Sequence, residues 1–155
     1  MSNIRSLAVF LILAIGGGIL IGTITSPGEW HAALIKPSFN PPNWVFGPVW
    51  TVLYIFIGIA GWLVWRSNTG GLTVKIWAVQ MVLNFVWSPL FFSAHRIDIA
   101  FGVILILLAM ILLFIAKTWG QDRLAAVLFL PYAAWLGFAS ALNGSFLYLN
   151  GVTGG

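Results

Sequence analysis

The stretch Ile99 to Ala116, which reads IAFGVILILLAMILLFIA, contains 18 residues and no side chain that forms a hydrogen bond. A helix needs about 20 apolar residues to cross a hydrocarbon core about 30 Å thick. The whole chain has the same character, since 61% of its 155 residues are hydrophobic and only 6% are charged. A soluble domain usually carries about 25% charged residues. The sequence therefore predicts an integral membrane protein.

Four further uncharged stretches accompany this one, so that the predicted spans are residues 7–24, 45–65, 76–94, 99–116 and 124–149. Each is long enough to cross a bilayer with some tilt, and none has the two-residue alternation of a barrel strand. The first span is longer than the apolar region of about 7–15 residues in a secretory signal, which predicts an uncleaved helix. We expect an all-α membrane protein, residues 1–155 forming a single bundle of five transmembrane helices.

The seven Lys and Arg residues all lie outside the predicted spans. Five of them flank the spans on the side of the N-terminus, and two lie on the other side: Arg5, Arg66, Lys75, Lys117 and Arg123 against Lys36 and Arg96. The excess predicts a cytoplasmic N-terminus and a non-cytoplasmic C-terminus. The spans contain no Asp, Glu, Lys, Arg or His, which argues against ion-coupled transport. The net charge of +4 favours anionic lipid as a partner and not nucleic acid.

Polar and aromatic side chains share faces of three predicted helices. These faces are Trp50 and Tyr54 in the second span, Gln80, Asn84 and Trp87 in the third, and Tyr132, Trp135, Ala139 and Asn143 in the fifth. Because an unpaired amide in hydrocarbon is costly, we expect these faces to point inward. Where they converge they would form an aromatic cavity for a flat, mostly apolar ligand. For Asn84 and Asn143, hydrogen bonding between helices is an equally good interpretation.

Glycine and proline residues inside the spans add detail to the predicted bundle. Glycines beside the aromatic residues, at positions 47, 58 and 61, would leave room for a ligand, and the four-residue spacing of Ala14, Gly18 and Gly22 permits close contact within the bundle or between two copies. Prolines 48, 89 and 131 lie inside spans and are expected to kink them. The fourth span, without polar side chains, is expected to face lipid or a partner subunit.

Eight of the nine tryptophans divide into two groups by position. Five lie at or beyond predicted span ends, where anchoring at the membrane interface is expected: Trp30, Trp44, Trp65, Trp77 and Trp119. Trp50, Trp87 and Trp135 lie deeper and are candidates for the cavity. The loop of residues 26–44 between the first two spans is rich in proline, and a short amphipathic turn is expected around residues 30–35.

Several kinds of chemistry are disfavoured by the residues themselves. The chain has no Cys, and His31, His95, Glu29 and Asp98 lie on separate loops without the spacing of a metal site. No nucleophile elbow, Gly-rich phosphate loop or paired carboxylate is present. We therefore expect no metal, no required cofactor and no acid–base catalytic residue.

The run KPSFNPPNWVFGPVWTVLYIFIGIAGWLVW, residues 36–65, resembles the tryptophan-rich sensory protein and translocator protein family, also called the peripheral-type benzodiazepine receptor family. Later segments are similar as well, namely NFVWSPLFF at 84–92, HR at 95–96 and PYAAWLGFASALN at 131–143. The resemblance implies a bacterial-type, multi-pass protein of the cell membrane with five helices, often a homodimer. It also implies that porphyrins such as protoporphyrin IX bind in a pocket between the helices, beneath the first loop.

The positions that the resemblance assigns to this pocket agree with the faces described above. Together with Asn143 from those faces, they are Phe46, Trp50, Tyr54, Asn84, Trp87, Trp135, Ala139 and Leu142. His31, Lys36 and Arg96 at the pocket mouth are candidates for contact with the porphyrin propionates. Three hypotheses stay open: porphyrin binding for sensing, scavenging or transport; light- and oxygen-dependent porphyrin breakdown, which the resemblance would assign to Trp50 and Trp135; and a ligand-free structural or partner-binding bundle.

Overall fold

The computed structural model describes residues 3–154, so that residues 1, 2 and 155 of the predicted domain lie outside it. Five long helices make up most of this range: α1 (Asn3–Ile24), α2 (Asn43–Ser67), α3 (Leu72–Ser93), α4 (Ile97–Thr118) and α5 (Arg123–Asn150). Each is long and apolar enough to cross a membrane, which confirms the predicted all-α class with five membrane helices. The helices extend beyond the uncharged stretches because flanking residues such as Arg66 and Lys117 continue the helix while their charged ends reach outward.

The helices are neighbours in the order α1, α2, α5, α4, α3, and the second half of α1 contacts α3 to complete the ring. A large buried cluster fills the ring along most of its length and includes Ile57, Ile104 and Phe129. A smaller cluster lies at the end covered by residues 26–44, and we call this end of the bundle the loop end. Many apolar side chains point outward, as expected for helices surrounded by lipid.

The three prolines inside the predicted spans have different effects on their helices. Pro89 begins a π-helical turn, Pro89–Ser93, and this wider turn accommodates a residue without an N–H group. Pro48 lies in the first turn of the α-helical part of α2, Phe46–Ser67, which follows the 3-10 turn Asn43–Val45. Backbone N–H groups there have no partner within the α-helix, so the kink expected at Pro48 is not required. Pro131 lies inside the α-helical body of α5.

Helix α4 has a buried face even though it lacks polar side chains along its apolar stretch. Ile104, Leu107 and Ile111 are fully buried against α3 and α5, whereas Ile106 and Leu112 on other sides are exposed. The expectation that this helix faces lipid therefore holds for its outer surface only. In a bilayer both faces of such a helix are apolar, so polarity alone could not locate the buried one.

The loop of residues 26–44 is ordered against the loop end. It contains one helical turn, Glu29–Ala33, which confirms the predicted turn and which we call the loop helix. Leu34 follows it, is 5% exposed and belongs to the smaller buried cluster. The Lys36 ammonium donates hydrogen bonds to the carbonyls of His31, Ala32 and Leu34 at 3.2, 3.1 and 3.3 Å, which caps the end of the loop helix.

Candidate functional site: the aromatic face between α2 and α5

A chain of side-chain hydrogen bonds joins α2, α3 and α5 in the middle of the bundle. The Tyr54 hydroxyl donates to Asn84 Oδ1 at 2.8 Å, and Asn84 Nδ2 donates to the Tyr132 hydroxyl at 2.6 Å. The Tyr132 hydroxyl in turn donates to Gln80 Oε1 at 2.9 Å. Tyr132 and Gln80 are fully buried. These polar groups satisfy one another, as hydrocarbon requires, and they fix the two phenol rings in position.

A second polar contact lies nearer the loop end. Trp87 Nε1 donates to Asn143 Oδ1 at 2.9 Å, and Asn143 Nδ2 donates to the carbonyl of Ile97 at 3.2 Å. The Trp87 ring stacks on Phe91 with 5.3 Å between centroids. Leu142, the neighbour of Asn143, is 7% exposed in the same cluster. In this structure Trp87 and Asn143 therefore connect α3, α4 and α5, the interhelical role considered for Asn143 from the sequence.

The remaining aromatic residues predicted for the pocket face each other across α2 and α5. The rings of Phe46 and Trp135 are 5.7 Å apart, and Trp50 lies 5.3 Å from Tyr54 and 6.4 Å from Tyr132. Phe46, Trp50 and Trp135 are all half-buried, and so is Ala139 one turn beyond Trp135. We call Phe46, Trp50, Trp135 and Ala139 the aromatic face.

The tryptophans differ in what their indole N–H groups bind. Four of them donate within the protein at 2.9 or 3.0 Å: Trp30 to Thr153 O, Trp62 to Ser6 Oγ, Trp77 to Ile57 O and Trp87 to Asn143 Oδ1. Within residues 3–154 the N–H groups of Trp50 and Trp135 have no hydrogen-bond partner, although both rings are half-buried inside spans. Buried indoles normally find an acceptor, and lipid tails supply none. Two donors on the aromatic face are therefore open to a ligand.

Two tryptophans at predicted span ends pack against other parts of the protein. Trp77 is 5% exposed and fits beside Gly61, where its N–H reaches the carbonyl of Ile57, so the interfacial expectation is wrong for it. Trp30 packs on the loop end and stacks on His95 with 4.1 Å between centroids. Position near a span end could not separate these indoles from Trp44, which is 74% exposed, because tertiary packing decides which of them is buried.

The three predicted mouth residues lie on or next to the loop end, and each already has partners. Lys36 caps the loop helix, and the Arg96 guanidinium pairs with both carboxylate oxygens of Asp98 at 2.9 and 2.6 Å. Hydrogen bonding to Asp98 raises the pKa of Arg96. His31 packs among phenylalanine rings, and burial, followed by the charge of Lys36, lowers its pKa. A ligand carboxylate at the mouth would have to compete with these contacts.

The space beside two of the glycines is filled by other helices. A side chain at Gly58 would press on Leu11 of α1, and one at Gly61 would overlap the ring of Trp77. In α1, a side chain at Gly18 would overlap the ring of Tyr54, so that this glycine serves contact within the bundle. The expectation that glycines 58 and 61 leave room for a ligand is therefore wrong, since helix packing uses that room. Gly47, in contrast, has open space beside it.

A groove of about 420 Å³ lies between residues 37–39 of the loop and the outer surface of α5. Its α5 side is lined by Ala141, Gly144, Ser145, Tyr148 and Leu149, so none of the nine predicted ligand residues lines it. It is connected to the aromatic face through ring contacts, because Phe39 lies 6.0 Å from Phe138, and Phe138 lies 5.4 Å from Trp135.

Sequence reasoning placed some of these residues and missed others. Tyr132 and Gln80 lie on the predicted polar faces but not among the predicted ligand residues, and the structure bonds Tyr132 to both Asn84 and Gln80. Trp62 was overlooked, and its bond to Ser6 could be anticipated only from the approach of α1 to α2. Asn150, one residue beyond the last predicted span, binds the backbone of Ile35, a contact between distant segments that no local pattern indicates.

Comparison with known proteins identifies the family of this chain. Residues 8–149 match the TspO/MBR family. The chain is 39% identical to the human translocator protein over 146 residues, 88% of this chain and 85% of that one. It is 37% identical to the tryptophan-rich protein TspO of Archaeoglobus fulgidus over 145 residues, covering 92% and 94% of the two chains. It is also 37% identical to protein CrtK of Rhodobacter capsulatus over 133 residues, 83% of each. This multi-pass membrane protein therefore belongs to the TspO/MBR family.

Proposed function

We propose that this protein binds a flat, mostly apolar ligand against the aromatic face, and that the ligand is a porphyrin such as protoporphyrin IX. The observation that carries the proposal is the pair Trp50 and Trp135, whose rings are half-buried and whose N–H groups have no partner in the described part of the chain. Both indoles offer a stacking surface and a donor at the same place. The family resemblance supplies the porphyrin as the ligand class.

The hydrogen-bonded chain of Tyr54, Asn84, Tyr132 and Gln80 supports this function as a back wall. Trp50 packs on both tyrosine rings, so fixing the phenols also fixes the indole. Pre-ordered rings reduce the conformational entropy lost on binding, and this favours affinity for a rigid macrocycle. Tyr54 then contacts the ligand, while Asn84 acts through Tyr54 and Tyr132.

The porphyrin propionates would lie at the loop end. Arg96 is the best-placed of the mouth residues, because its side chain is 42% exposed and its neighbour His95 stacks on Trp30 of the loop helix. A propionate there would exchange with Asp98 for the guanidinium, a charge-assisted contact of similar geometry. Lys36 would remain the cap of the loop helix, and His31 would contact the ligand only when the loop moves.

A porphyrin titration tests this function. The purified protein in detergent is titrated with protoporphyrin IX and binding is followed by the absorption of the porphyrin, for the wild type and for Trp50→Phe, Trp135→Phe and the control Trp119→Phe. Trp119 lies at the opposite end of the bundle and is 44% exposed. We expect saturable binding that weakens about tenfold with each of the first two changes, equivalent to one lost hydrogen bond, and is unchanged in the control.

Two other outcomes would decide between the alternatives. An absence of saturable binding would leave a structural or partner-binding bundle as the function. New absorbing products that form under illumination in the wild type, but not in Trp50→Phe or Trp135→Phe, would favour light-dependent porphyrin breakdown through these indoles. In that reaction an oxidisable ring beside the bound photosensitiser matters more than an acid or a base.

We also propose that the protein lies in a bacterial cell membrane with its N-terminus in the cytoplasm, so that the loop end faces outward. The excess of basic residues at the end opposite the loop supports this orientation. A reporter active only in the cytoplasm, fused after residue 155, should be inactive, whereas the same reporter fused in the α2–α3 turn near Asn68 should be active. The reverse pattern would invert the orientation.

A further inference from the structure

The loop end is closed by a plug that the last residues of the described chain hold in place. Leu34 is 5% exposed and lies in a buried cluster with Phe91, Leu142 and Phe146. Leu142 is one of the predicted pocket residues, and the same cluster packs against Trp87 and Phe46. A ligand that enters the aromatic face from the loop end must therefore displace Leu34 and the backbone that carries it.

The backbone next to Leu34 is held by a single side chain from the end of α5. Asn150 Oδ1 accepts a hydrogen bond from the N–H of Ile35 at 2.7 Å, and Asn150 Nδ2 donates to the carbonyl of Ile35 at 2.9 Å. This two-point contact imitates the pairing of neighbouring strands, so it fixes the loop in position and orientation. Asn150 Nδ2 also donates to the carbonyl of Phe146 at 3.0 Å, which ties the amide to its own helix.

The residues after Asn150 add two more contacts. The indole N–H of Trp30 donates to the carbonyl of Thr153 at 3.0 Å, and the N–H of Ile97 donates to the carbonyl of Val152 at 3.0 Å. Gly151 makes this path possible, because its φ of 77° turns the chain back across the bundle, a conformation that other residues adopt with strain. The tail is thus fastened to α4 on one side and to the loop on the other.

We propose that Asn150 and the tail of residues 151–154 form a latch that sets how often the loop opens to admit or release the ligand. The latch rests on the proposed function in one respect, since the ligand is the porphyrin bound at the aromatic face. Asn150 is a positioning residue that acts through Ile35 and Leu34 and touches no ligand. Its contacts are half-exposed hydrogen bonds, which break and reform without unfolding the helices.

Loop opening is measured first without ligand, by hydrogen exchange of amides that bind within the loop itself. The N–H groups of Ala32, Leu34 and Asn40 donate to loop carbonyls, so their exchange reports opening and not the loss of the Asn150 bond. In Asn150→Ala we expect these amides to exchange about tenfold faster than in the wild type. The matched control Asn68→Ala removes an exposed amide at the other end of the bundle and should change nothing.

Porphyrin association and dissociation rates are then measured on the same proteins. Asn150→Ala should raise both rates by similar factors and leave the affinity nearly unchanged, because the latch affects access and not the bound contacts. Rates equal to those of the wild type, or a change in only one of the two rates with a matching change in affinity, would overturn the latch. Loop amides that exchange equally fast in Asn150→Ala and in the wild type would also overturn the latch, whether or not the proteins bind porphyrin. An absence of porphyrin binding in every variant, in contrast, would refute the proposed function and leave the exchange test of the latch intact.

A reversible crosslink gives the opposite perturbation. The chain has no cysteine, so Ile35→Cys combined with Asn150→Cys introduces one pair that replaces the latch by a disulfide. Oxidised protein should take up porphyrin more slowly than the wild type, and reduced protein should take it up faster. Equal uptake in the oxidised and reduced forms, with the crosslink verified by mass, would show that the ligand does not pass the loop.

Discussion

Trp77 lies on α3 and Trp50 on α2, two helices that touch across the ring, yet their surroundings differ in burial and in hydrogen bonding. Trp77 is 5% exposed, sits beside Gly61 and donates to the carbonyl of Ile57 at 2.9 Å. Trp50 is half-buried, packs on the rings of Tyr54 and Tyr132, and has no acceptor among the described residues. The first indole completes a helix contact, and the second leaves a donor and a ring edge open.

The difference teaches how to interpret tryptophan in a membrane bundle. Lipid tails are as apolar as the side chains, so helices associate through close packing and hydrogen bonds and not by escaping water. A tryptophan whose ring fills a glycine notch and whose N–H is bonded serves this packing. A tryptophan deep inside a span without an N–H partner does not, and the cost of leaving that donor unpaired away from water is a reason to expect a ligand.

The largest expected effect is the loss of stability when the packed residue, Trp77, is truncated. Trp77→Ala should lower the free energy of unfolding by about 3–5 kcal/mol, because it leaves a cavity against Gly61 and removes a buried hydrogen bond. Chemical unfolding in mixed micelles measures the change. Trp119→Ala, at an exposed position, should change it by less than about 0.5 kcal/mol. If the two substitutions lowered the free energy of unfolding equally, the burial of Trp77 between the helices would not be what stabilises the protein.

A smaller loss of stability is expected when the hydrogen-bonded chain of Tyr54, Asn84, Tyr132 and Gln80 is interrupted. Tyr132→Phe removes the hydroxyl that accepts from Asn84 and donates to Gln80, leaving one atom of each buried amide unpaired. The free energy of unfolding should fall by about 1–3 kcal/mol. Tyr148→Phe, at a side chain that is 90% exposed, is the matched control and should be neutral. A stability of Tyr132→Phe equal to that of the control would mean that water or lipid headgroups satisfy the amides.

Trp50 and Trp135, whose N–H groups are unpaired within the described chain, should matter less for stability than for binding. The double variant Trp50→Phe and Trp135→Phe should change the free energy of unfolding by less than about 1 kcal/mol, since neither indole loses a hydrogen bond within the described chain. Trp77→Phe should cost more, about 1–2 kcal/mol, because it loses the bond to Ile57. For porphyrin affinity we expect the reverse: the double variant should lose more affinity than Trp77→Phe. A double variant less stable than Trp77→Phe would make Trp50 and Trp135 structural.

The sequence was sufficient for the helices because crossing a bilayer depends on the length and apolarity of single segments. All five predicted spans correspond to helices, with ends displaced by a few residues and with Ala94 alone beyond the end of its helix. It was also sufficient for the faces, since helical spacing placed Tyr54, Asn84 and Tyr132 on surfaces that meet in the structure. Both inferences require only local geometry.

What the sequence could not provide depends on which helix lies beside which. The space that receives Trp77 lies beside Gly61 on another helix, and the amides of Asn84 and Asn143 bind protein groups whose positions depend on which helices are neighbours. The loop contact of Asn150 joins residues that are 115 positions apart. Such contacts follow from tertiary packing, and a period of 3.6 residues carries no information about them.

The smallest expected effect concerns the loop end, where acidification should loosen the plug without touching either tryptophan. His31 packs against Phe92 at 5.3 Å and Phe146 at 5.8 Å between ring centroids, and burial followed by the charge of Lys36 lowers its pKa from 6.5. The folded protein then binds this proton less readily than the unfolded chain does. Stability is therefore full above pH 6.5 and declines as the pH falls below that value towards the lower pKa of the folded state.

We expect the thermal midpoint in detergent to decrease by at most a few °C between pH 8 and about pH 5.5, a range above the titration of carboxylates. His31→Phe should remove this decrease, because phenylalanine fills the aromatic site without titrating. His95 is the other histidine at the loop end, and His95→Asn is the control, since asparagine tolerates the φ of 55° found there. If His95→Asn abolishes the decrease and His31→Phe does not, the stacked pair of Trp30 and His95 is the pH-sensitive contact, and His31 is only a filler of the cluster that holds Leu34.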